Sequence, residues 1–563
     1  MAYDLKITGG TLYDGSGSQG FRGDLGIRDG KLVAVGDAPD TASQVIDAEG
    51  RAVSPGFIDL HTHYDAQVMW DGMLSISPWH GVTSVVVGNC GFGIAPTRKE
   101  HRNLMLRTLE NVEGMDLDVL WAGLGDDWGF ETFPEYLDAV DKRKPCINVA
   151  ALFGHTPLRM YVMGEEATER TATDEEVNTM RRLVQEGMHA GAIGFATSKA
   201  PNHIGYDSRP VPSRLADFEE IRALCSAMGE TNLGVVMASI GRGLFFKEMA
   251  ALASDSGRPV CWAALLAGMS GPGSHRKMLD TVEQQQASGL QIVPQVLGRP
   301  LMFEFDLRDP FLFESLEALV PFGKLRAEGE KIEFWKSTEN RDAFLKEAGD
   351  GLPPFKAQWA DAEVSFHPTQ PDLEGRKLRD LAQEQGTHPY DVMIGLGIET
   401  NLKARYRMAV VNTDEEAVAE LLTSDHTVLG LSDAGAHASQ LCDACFSTDL
   451  LERWVREKEI LSLPRAIRLL TGRSADLYGI SDRGYLREGL AADVTIFDPA
   501  AVGATPLRRI GDLPGGAERL VSDATGIDSV ICNGQIIRQN GSDQIDPDRG
   551  GPGRTLRNGS ARN

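Results

Sequence analysis

The chain has 563 residues, of which 42% are hydrophobic, and it carries a formal net charge of -25. This length exceeds the usual size of one domain, so we expect a large body plus at least one smaller unit. The negative charge argues against non-specific binding to nucleic acid or to an anionic membrane. The odd number of cysteines favours reduced thiols, and neither a membrane span nor a signal peptide is recognisable. These features predict a cytoplasmic protein.

Short strands and tight turns are predicted for residues 1–54, and the same pattern is predicted again for 481–540. Neither half is large enough to bury a core alone. We therefore predict that the two ends of the chain pair into one small β-sandwich beside a central body at 55–480. The glycine- and proline-rich residues 541–563 are expected to form an irregular tail.

Strand-like and helix-like segments alternate through the central body, as is typical of a parallel α/β fold. Eight strands are predicted, at 56–60, 83–87, 147–153, 192–197, 234–238, 259–266, 291–296 and 428–431. Eight alternations favour a TIM-like (β/α)8 barrel, whose chemistry lies at the carboxyl ends of the strands. The long gap between the last two strands predicts an insertion at about 298–427, which suits a lid over the barrel or an oligomer contact.

Two histidines follow the first predicted strand. Alternate side chains of an extended chain share a face, so His61 and His63 point the same way and can reach one metal ion. Asp433 follows the last predicted strand and, taken alone, is a turn or helix-capping residue. Next to two histidines at the barrel mouth, Asp433 is instead a candidate metal ligand that exchanges a proton with metal-bound water.

The chain resembles the D-aminoacylase branch of the amidohydrolase superfamily, the N-acyl-D-amino-acid deacylases. The motifs that carry the resemblance are Gly-Phe-Ile-Asp-Leu-His-Thr-His at 56–63, Gly-Asn-Cys-Gly at 88–91 followed by Ala-Pro, and Ser-Asp-Ala-Gly-Ala-His at 432–437. Alone, a cysteine after a strand is most often a small buried residue. In the deacylases this cysteine is a metal ligand, so the resemblance implies that Cys90 is one too, and a soft thiolate suits zinc.

The chain departs from this branch at strands five and six. D-aminoacylases are expected to place a histidine at the end of each, completing a tight zinc site with the cysteine, but 235–239 and 261–266 contain none. We therefore expect one divalent ion, with zinc as the preferred metal, bound by His61, His63 and Asp433, with Cys90 as a further ligand. Three protein ligands and an open water position are enough for catalytic zinc.

Polar residues after other strands are further candidates for the site. His155 and His203 are each interpreted as a metal ligand, as a group that polarises a substrate carbonyl, or as a structural histidine. Lys199 is a carboxylated metal ligand as in related members, an anchor for a substrate carboxylate, or a surface lysine. Arg159 and Arg209 are candidate anchors because guanidinium binds carboxylate bidentately.

Together these features predict a metal-dependent amidohydrolase acting on a small molecule, and the resemblance implies an N-acyl-D-amino acid. Asp433 would accept a proton from metal-activated water and deliver it to the leaving nitrogen. Two alternatives remain open: hydrolysis of a cyclic amide, lactone or related ester at the same site, and an inactive scaffold with this fold. No nucleic acid or membrane partner is expected, and a homo-oligomer is compatible with the sequence.

Overall fold

The computed structural model describes residues 2–313, 316–349, 351–352 and 357–561. The N-terminal strands are β1 (Tyr3–Leu12), β2 (Phe21–Arg28), β3 (Lys31–Gly36), β4 (Ala42–Asp47) and β5 (Ala52–Pro55). The central strands are β6 (Phe57–Asp59), β7 (Val82–Val87), β8 (Asn148–Gly154), β9 (Gly194–Ser198), β10 (Val235–Ser239), β11 (Val260–Ala263), β12 (Ile292–Val296), β13 (Leu301–Asp306), β14 (Glu363–Phe366), β15 (Arg405–Val411) and β16 (Val428–Leu429). The C-terminal strands are β17 (Val494–Phe497), β18 (Gly503–Ala504), β19 (Arg508–Ile510), β20 (Arg519–Val521), β21 (Ala524–Thr525), β22 (Ile527–Cys532), β23 (Gln535–Gln539), β24 (Ser542–Asp543), β25 (Leu556–Arg557) and β26 (Ser560–Ala561).

Helices fill most of the connections between the central strands. They are α1 (Arg102–Glu113), α2 (Leu117–Leu124), α3 (Phe133–Arg143), α4 (His155–Met163), α5 (Asp174–Ala190), α6 (Pro212–Leu215), α7 (Phe218–Gly229), α8 (Phe246–Ser256), α9 (Ser274–Ala287), α10 (Glu328–Lys336), α11 (Thr338–Ala348), α12 (Leu378–Gln385), α13 (Pro389–Glu399), α14 (Glu415–Thr423), α15 (Phe446–Asp449), α16 (Leu463–Leu470) and α17 (Gly472–Tyr478), with a π-helical segment at Leu450–Glu457. Helix α5 begins with a capping box, in which Thr173 and Glu176 satisfy backbone N–H groups at the helix start.

Strands β6 to β12 and β16 form one parallel sheet, which has eight strands within the described residues and keeps the chain order. All residues of β7 are buried, as expected for a parallel strand covered on both faces. A bridge between Thr62 and Ala434 joins the ends of the first and last strands and closes the ring. This arrangement confirms the predicted TIM-like (β/α)8 barrel, and each of the eight predicted strands is present with ends shifted by a few residues.

Strands from both ends of the chain share one sheet, in the order β24-β23-β22-β17-β5-β1-β2-β3 with β4 beside β1. The two halves meet where β5 pairs antiparallel with β17, which confirms the expected pairing of the termini. The tail is more regular than expected, because β25 and β26 form a small hairpin. It also packs along the barrel, where the Val149 N–H donates to the Arg554 carbonyl at 3.0 Å.

The segment between β12 and β16 contains a separate small core. Strands β13, β14 and β15 form an antiparallel sheet, and buried Trp335, Phe344 and Tyr390 belong to the core beside it. Helix α14 packs in the main barrel core instead, so we place the end of the insertion before this helix and not at 427. Phe303 lies edge-on to His437 with ring centroids 5.8 Å apart. This contact brings the insertion to the loop after the last barrel strand, while the domain boundaries as a whole stay predictions.

A buried ion pair lies where the terminal sheet meets the barrel. Arg483 and Asp493 are 1% and 3% exposed, and the Arg483 guanidinium donates to the Asp493 carboxylate. The same carboxylate accepts from the Asn148 side chain on β8 at 2.9 Å and from the Asn533 N–H at 2.6 Å. One acid therefore satisfies donors from the barrel and from the turn between β22 and β23. In the described residues, no helix is both long and apolar enough to cross a bilayer.

Replacing this acid should destabilise the whole molecule. We expect Asp493→Ala to lower the free energy of unfolding by about 3–5 kcal/mol, because it leaves Arg483 buried without its counter-charge. Denaturant unfolding followed by circular dichroism measures the change. The control is Glu49→Ala, which removes the partner of Arg22 in a pair whose side chains are both 62% exposed. Equal unfolding midpoints for the two variants would show that the buried pair does not tie the sheet to the barrel.

Candidate metal centre

The two histidines after β6 are buried and side by side, with ring centroids 5.3 Å apart. His61 Nδ1 lies 2.6 Å from the Gln295 side-chain oxygen on β12. His63 Nδ1 lies 2.9 Å from Glu113 Oε1 at the end of α1. Because a neighbour holds each Nδ1, the Nε2 atom of each ring is the one directed to a metal ion.

Cys90 and Asp433 meet these Nε2 atoms. His61 Nε2 lies 3.4 Å from Cys90 Sγ and 3.2 Å from Asp433 Oδ1, and His63 Nε2 lies 3.6 Å from the same Asp433 oxygen. The candidate ligand atoms of His61, His63 and Cys90 all lie within 4.8 Å of one another. Two imidazoles, a thiol and a carboxylate converging at this range fit a divalent ion of the zinc type.

The charges around the cluster favour the deprotonated forms of both acids. Burial raises the pKa of the Cys90 thiol, but the charge of His61 and its hydrogen bond lower it to about 7. Burial also raises the pKa of the Asp433 carboxyl, and His61 and His63 outweigh this effect and bring it to about 2. Burial lowers the pKa of His61 and His63, but the negative groups around them outweigh this effect and raise it. A bound cation would displace the imidazole protons and stabilise the thiolate and carboxylate in their place.

The backbone turns sharply where Cys90 enters the site. Gly88, directly after β7, has φ +81°, and a Cβ there would lie 2.4 Å from the Leu152 carbonyl oxygen. Only glycine fits this position, because the conformation is left-handed and the space is already filled. Cys90 itself has φ 57°. The Gly-Asn-Cys-Gly motif is therefore a turn that directs the thiol to the histidines.

Asp433 is fixed by backbone contacts with the first strand. Its N–H donates to the His61 carbonyl at 3.1 Å, and the His63 N–H donates to the Ala434 carbonyl at 2.7 Å. The Ser432 hydroxyl also donates to the His61 carbonyl, at 3.0 Å. The contacts that close the barrel thus place the carboxylate beside the imidazoles.

His203 faces the same site from the loop after β9. Its ring lies 4.9 Å from that of Phe92, which is 6.4 Å from the ring of His63. The Ser198 hydroxyl lies 2.6 Å from His203 Nδ1 and accepts the Ala200 N–H at 3.1 Å. If it donates its own proton to Nδ1, the ring proton of the neutral imidazole lies on Nε2. Burial and the charge of His63 lower the pKa of His203 to about 3. A neutral imidazole therefore lies next to the Phe92 ring, which separates it from His63.

His155 and Arg159 do not reach the cluster and belong to another network. His155 Nδ1 lies 2.8 Å from the Thr197 hydroxyl, and His155 Nε2 lies 2.9 Å from Glu220 on α7. Arg159 is fully buried, and its guanidinium pairs with the same glutamate and donates to the Arg170 carbonyl. Both ring nitrogens of His155 have partners, and the Arg159 guanidinium already pairs with Glu220 inside the core, which disagrees with catalytic His155 and with Arg159 as a substrate anchor.

Lys199 and Arg209 are likewise engaged elsewhere. The Lys199 amine donates to the carbonyls of Arg214 at 2.5 Å and Ala216 at 2.7 Å, contacts that suit an ammonium group and not a carboxylated amine at the metal. Arg209 is partly exposed and pairs with Glu169 at 3.1 Å. It would have to leave this pair to bind a substrate, so its role as an anchor stays a prediction.

Strands β10 and β11 end in Ser239 and Ala263, and neither strand contains a histidine. The Ser239 hydroxyl is buried and has no hydrogen-bond partner among the described residues. The polar residues that support the histidines were missed by the sequence reasoning. Gln295 gives a signal, because it is a polar residue in the otherwise apolar, fully buried β12. Glu113 gives none, since it ends an ordinary amphipathic helix.

Comparison with known proteins identifies the family. Residues 44–292 and 373–538 match the Amidohydrolase family. The chain belongs to this family. Among curated relatives of this amidohydrolase, a D-aminoacylase of Alcaligenes xylosoxydans xylosoxydans is 29% identical over 95% of both chains. An N-acyl-D-aspartate deacylase of the same organism is 30% identical over 89% of this chain and 86% of the relative.

Solved structures agree with this assignment. A D-aminoacylase described by one-metal activation and second-metal attenuation of its binuclear centre is 25% identical over 98% of this chain and 99% of that chain, with a TM-score of 0.65. The N-acyl-D-glutamate deacylase of Bordetella bronchiseptica, complexed with zinc and a phosphonate inhibitor, is 25% identical over 99% and 100%, with a TM-score of 0.64. The resemblance to the D-aminoacylase branch is confirmed: the protein is a metal-dependent amide hydrolase that uses a divalent metal, which disfavours the scaffold alternative.

Glu113→Gln should weaken metal binding without unfolding the protein. We expect the affinity for Zn²⁺ to fall roughly 10- to 100-fold, because the charged partner that orients His63 is lost. Competition with a chromophoric chelator measures this affinity directly and does not require activity. Glu110→Gln, one turn earlier on α1, is the matched control and should leave the affinity unchanged. A Glu113→Gln variant that binds Zn²⁺ like the unmodified protein contradicts the assigned role.

Proposed function

We propose that this amidohydrolase is an N-acyl-D-amino-acid deacylase that works with one divalent ion, and that zinc is the preferred metal. The observation that carries the proposal is the convergence of His61, His63, Cys90 and Asp433 at the mouth of the barrel. The deacylase relatives cover nearly the whole chain, which supports the substrate class. The relative described by one-metal activation supports a single working ion.

His61, His63 and Asp433 would hold the ion, with Cys90 as a fourth ligand. When bound, a divalent ion supplies Lewis-acid chemistry, polarising a carbonyl and acidifying water. The ends of β10 and β11 supply no second nitrogen set, so the ligands in hand support one ion and not two.

Asp433 would move the proton of the reaction. Its side chain is 27% exposed, so one carboxylate oxygen can reach a substrate while the backbone fixes its position. The carboxylate accepts the proton of the attacking water and delivers it to the amide nitrogen, which is too basic to leave without it. The N–H of neutral His203 would donate to the carbonyl oxygen as negative charge develops there.

The expected activity is release of free amino acid from N-acyl-D-amino acids. We expect zinc-reconstituted protein to hydrolyse N-acetyl-D-amino acids with a clear preference over the L-enantiomers, and a chelator to remove the activity. A ninhydrin assay across a panel of D and L substrates measures this. Hydantoins and lactones are included because the cyclic-substrate alternative predicts turnover of those compounds alone. The latter result would refute the deacylase proposal.

Asp433→Asn separates proton transfer from metal binding. We expect turnover to fall by at least roughly 10²- to 10⁴-fold, because the amide cannot accept and return the proton. Plasma mass spectrometry should find about one Zn²⁺ per chain in this variant and in the unmodified protein, since Asp433 is only one of several ligands. The control is Asp425→Asn, ahead of the same strand β16, where the carboxylate is 79% exposed. Full activity of Asp433→Asn, or two ions per chain, contradicts the scheme.

A further inference from the structure

Two cysteines lie side by side in the loop between β16 and α15. Cys442 and Cys445 are free thiols, 8% and 1% exposed. Cys445 Sγ lies 3.6 Å from the Cys442 carbonyl oxygen, and the two thiols hydrogen-bond to each other. The Cys-x-x-Cys spacing is shared with redox-active motifs. Because the two thiol groups are in contact, a disulfide can close between them by side-chain rotation.

Hydrogen bonds hold the backbone around this pair in place. The Thr448 hydroxyl donates to the Cys445 carbonyl at 3.0 Å. The Ser447 hydroxyl donates to the His80 carbonyl at 2.7 Å, and both residues are buried. His80 directly precedes the turn into β7, so the start of α15 is fastened to the barrel. The contact between the two thiols therefore belongs to a fixed part of the fold.

A largely buried cation lies beside the pair. The Arg299 side chain is 16% exposed, and it donates to Asp443 and Asp449 at 3.0 Å each. The hydrogen bond from Cys445 lowers the pKa of Cys442, and the charge of Arg299 lowers it further. Together these effects outweigh burial and the Asp443 carboxylate, which raise it. The same hydrogen bond and burial raise the pKa of Cys445. Cys442 is therefore the thiolate of the pair, the form that attacks an oxidant.

Small molecules reach Cys442 more readily than Cys445. Cys442 borders a void of ≈ 30 Å³, which Asp433 also borders and Cys445 does not. Such a volume holds roughly one or two waters. Hydrogen peroxide is little larger than water, so it fits a space that excludes bulky thiol reagents. The more accessible of the two sulfurs is thus also the thiolate.

We propose that Cys442 and Cys445 are a site of reversible oxidation, at which a peroxide converts the two thiols into an intramolecular disulfide. The Cys442 thiolate attacks one oxygen of the peroxide, the O–O bond breaks, and a sulfenic acid forms as hydroxide leaves. The Cys445 sulfur then attacks the Cys442 sulfur, the S–O bond breaks, and the leaving hydroxide takes the Cys445 proton and departs as water. The two sulfurs lose two electrons in total, and the peroxide is reduced. A dithiol reductant reverses the reaction by thiol–disulfide exchange.

Peptide mapping of the zinc-loaded, full-length protein tests the proposal. After exposure to hydrogen peroxide, the protein is denatured in iodoacetamide and digested with trypsin. Trypsin releases residues 408–453 as one peptide, which contains Cys442 and Cys445 and no other cysteine. We expect this peptide to be unalkylated and two hydrogens lighter than its reduced form, and to carry two alkyl groups when dithiothreitol precedes alkylation. Two alkylated cysteines after a large excess of peroxide would overturn the proposal.

Single substitutions assign the two roles. Cys445→Ser should accumulate a sulfenic acid on Cys442 that dimedone labels, because the resolving thiol is gone. Cys442→Ser should form no disulfide and little dimedone adduct at Cys445. The matched control is Cys225→Ala, which removes a buried thiol from α7 and should leave the disulfide intact. Preferential labelling of Cys445 would overturn the assigned order. If a variant does not fold, fragmentation of the dimedone-labelled peptide from the unmodified protein locates the adduct and decides the same question.

Cys90 reports on the metal centre in the same digest. It is the one cysteine of the tryptic peptide 52–98, and a bound zinc ion should protect its thiolate, which serves as a ligand. We expect Cys90 to stay alkylatable while the pair closes. Oxidation of Cys90 with the pair still reduced, or a disulfide between different chains in place of the intramolecular one, would refute the proposal. Because the readout is a mass, the result does not depend on whether the protein hydrolyses N-acyl amino acids.

Discussion

The backbone pairing between the ends of the first and last barrel strands is the constraint on which the candidate site depends. The same hydrogen bonds that close the ring, from Asp433 to the His61 carbonyl and from His63 to the Ala434 carbonyl, also set the carboxylate 3.2 Å from an imidazole. Strands β6 and β16 are short, so without these bonds the ring would stay open at its seam. Closure of the fold and assembly of the metal ligands are therefore one event.

Around this seam, buried polar side chains support one another. Gln295 lies beside the outer nitrogen of His61, and Glu113 forms an ion pair with that of His63. Gln295 comes from β12, two strands away across β16, and Glu113 comes from a crossover helix. A buried polar atom without a partner costs roughly 1–3 kcal/mol, so each partnership both stabilises the core and fixes an imidazole. The 2.6 Å contact of Gln295 with His61 and the ion pair of Glu113 with His63 therefore stabilise two buried imidazoles and restrict their orientation.

The sequence predicts the ligands on strands better than the groups beyond them. His61, His63 and Asp433 follow strands whose carboxyl ends must converge in a parallel barrel, so their proximity follows from topology alone. His155 also follows a strand, but it is the first residue of α4, and its ring bonds Glu220, 65 positions later in the chain. No local spacing encodes that contact. The same holds for Glu113, whose ion pair with His63 depends on how α1 packs over the mouth.

Buried polar groups also fix the terminal sheet against the barrel. The Asp493 carboxylate pairs with Arg483, accepts from the Asn148 side chain at 2.9 Å and accepts from the Asn533 N–H at 2.6 Å. Asn148 is the first residue of β8, so this contact lies at the amino ends of the barrel strands, whereas the metal ligands follow the carboxyl ends. A buried carboxylate is tolerated only while it is paired and hydrogen-bonded. The sheet and the barrel therefore cannot separate without leaving a buried charge unpaired, and this constraint is independent of the metal ligands.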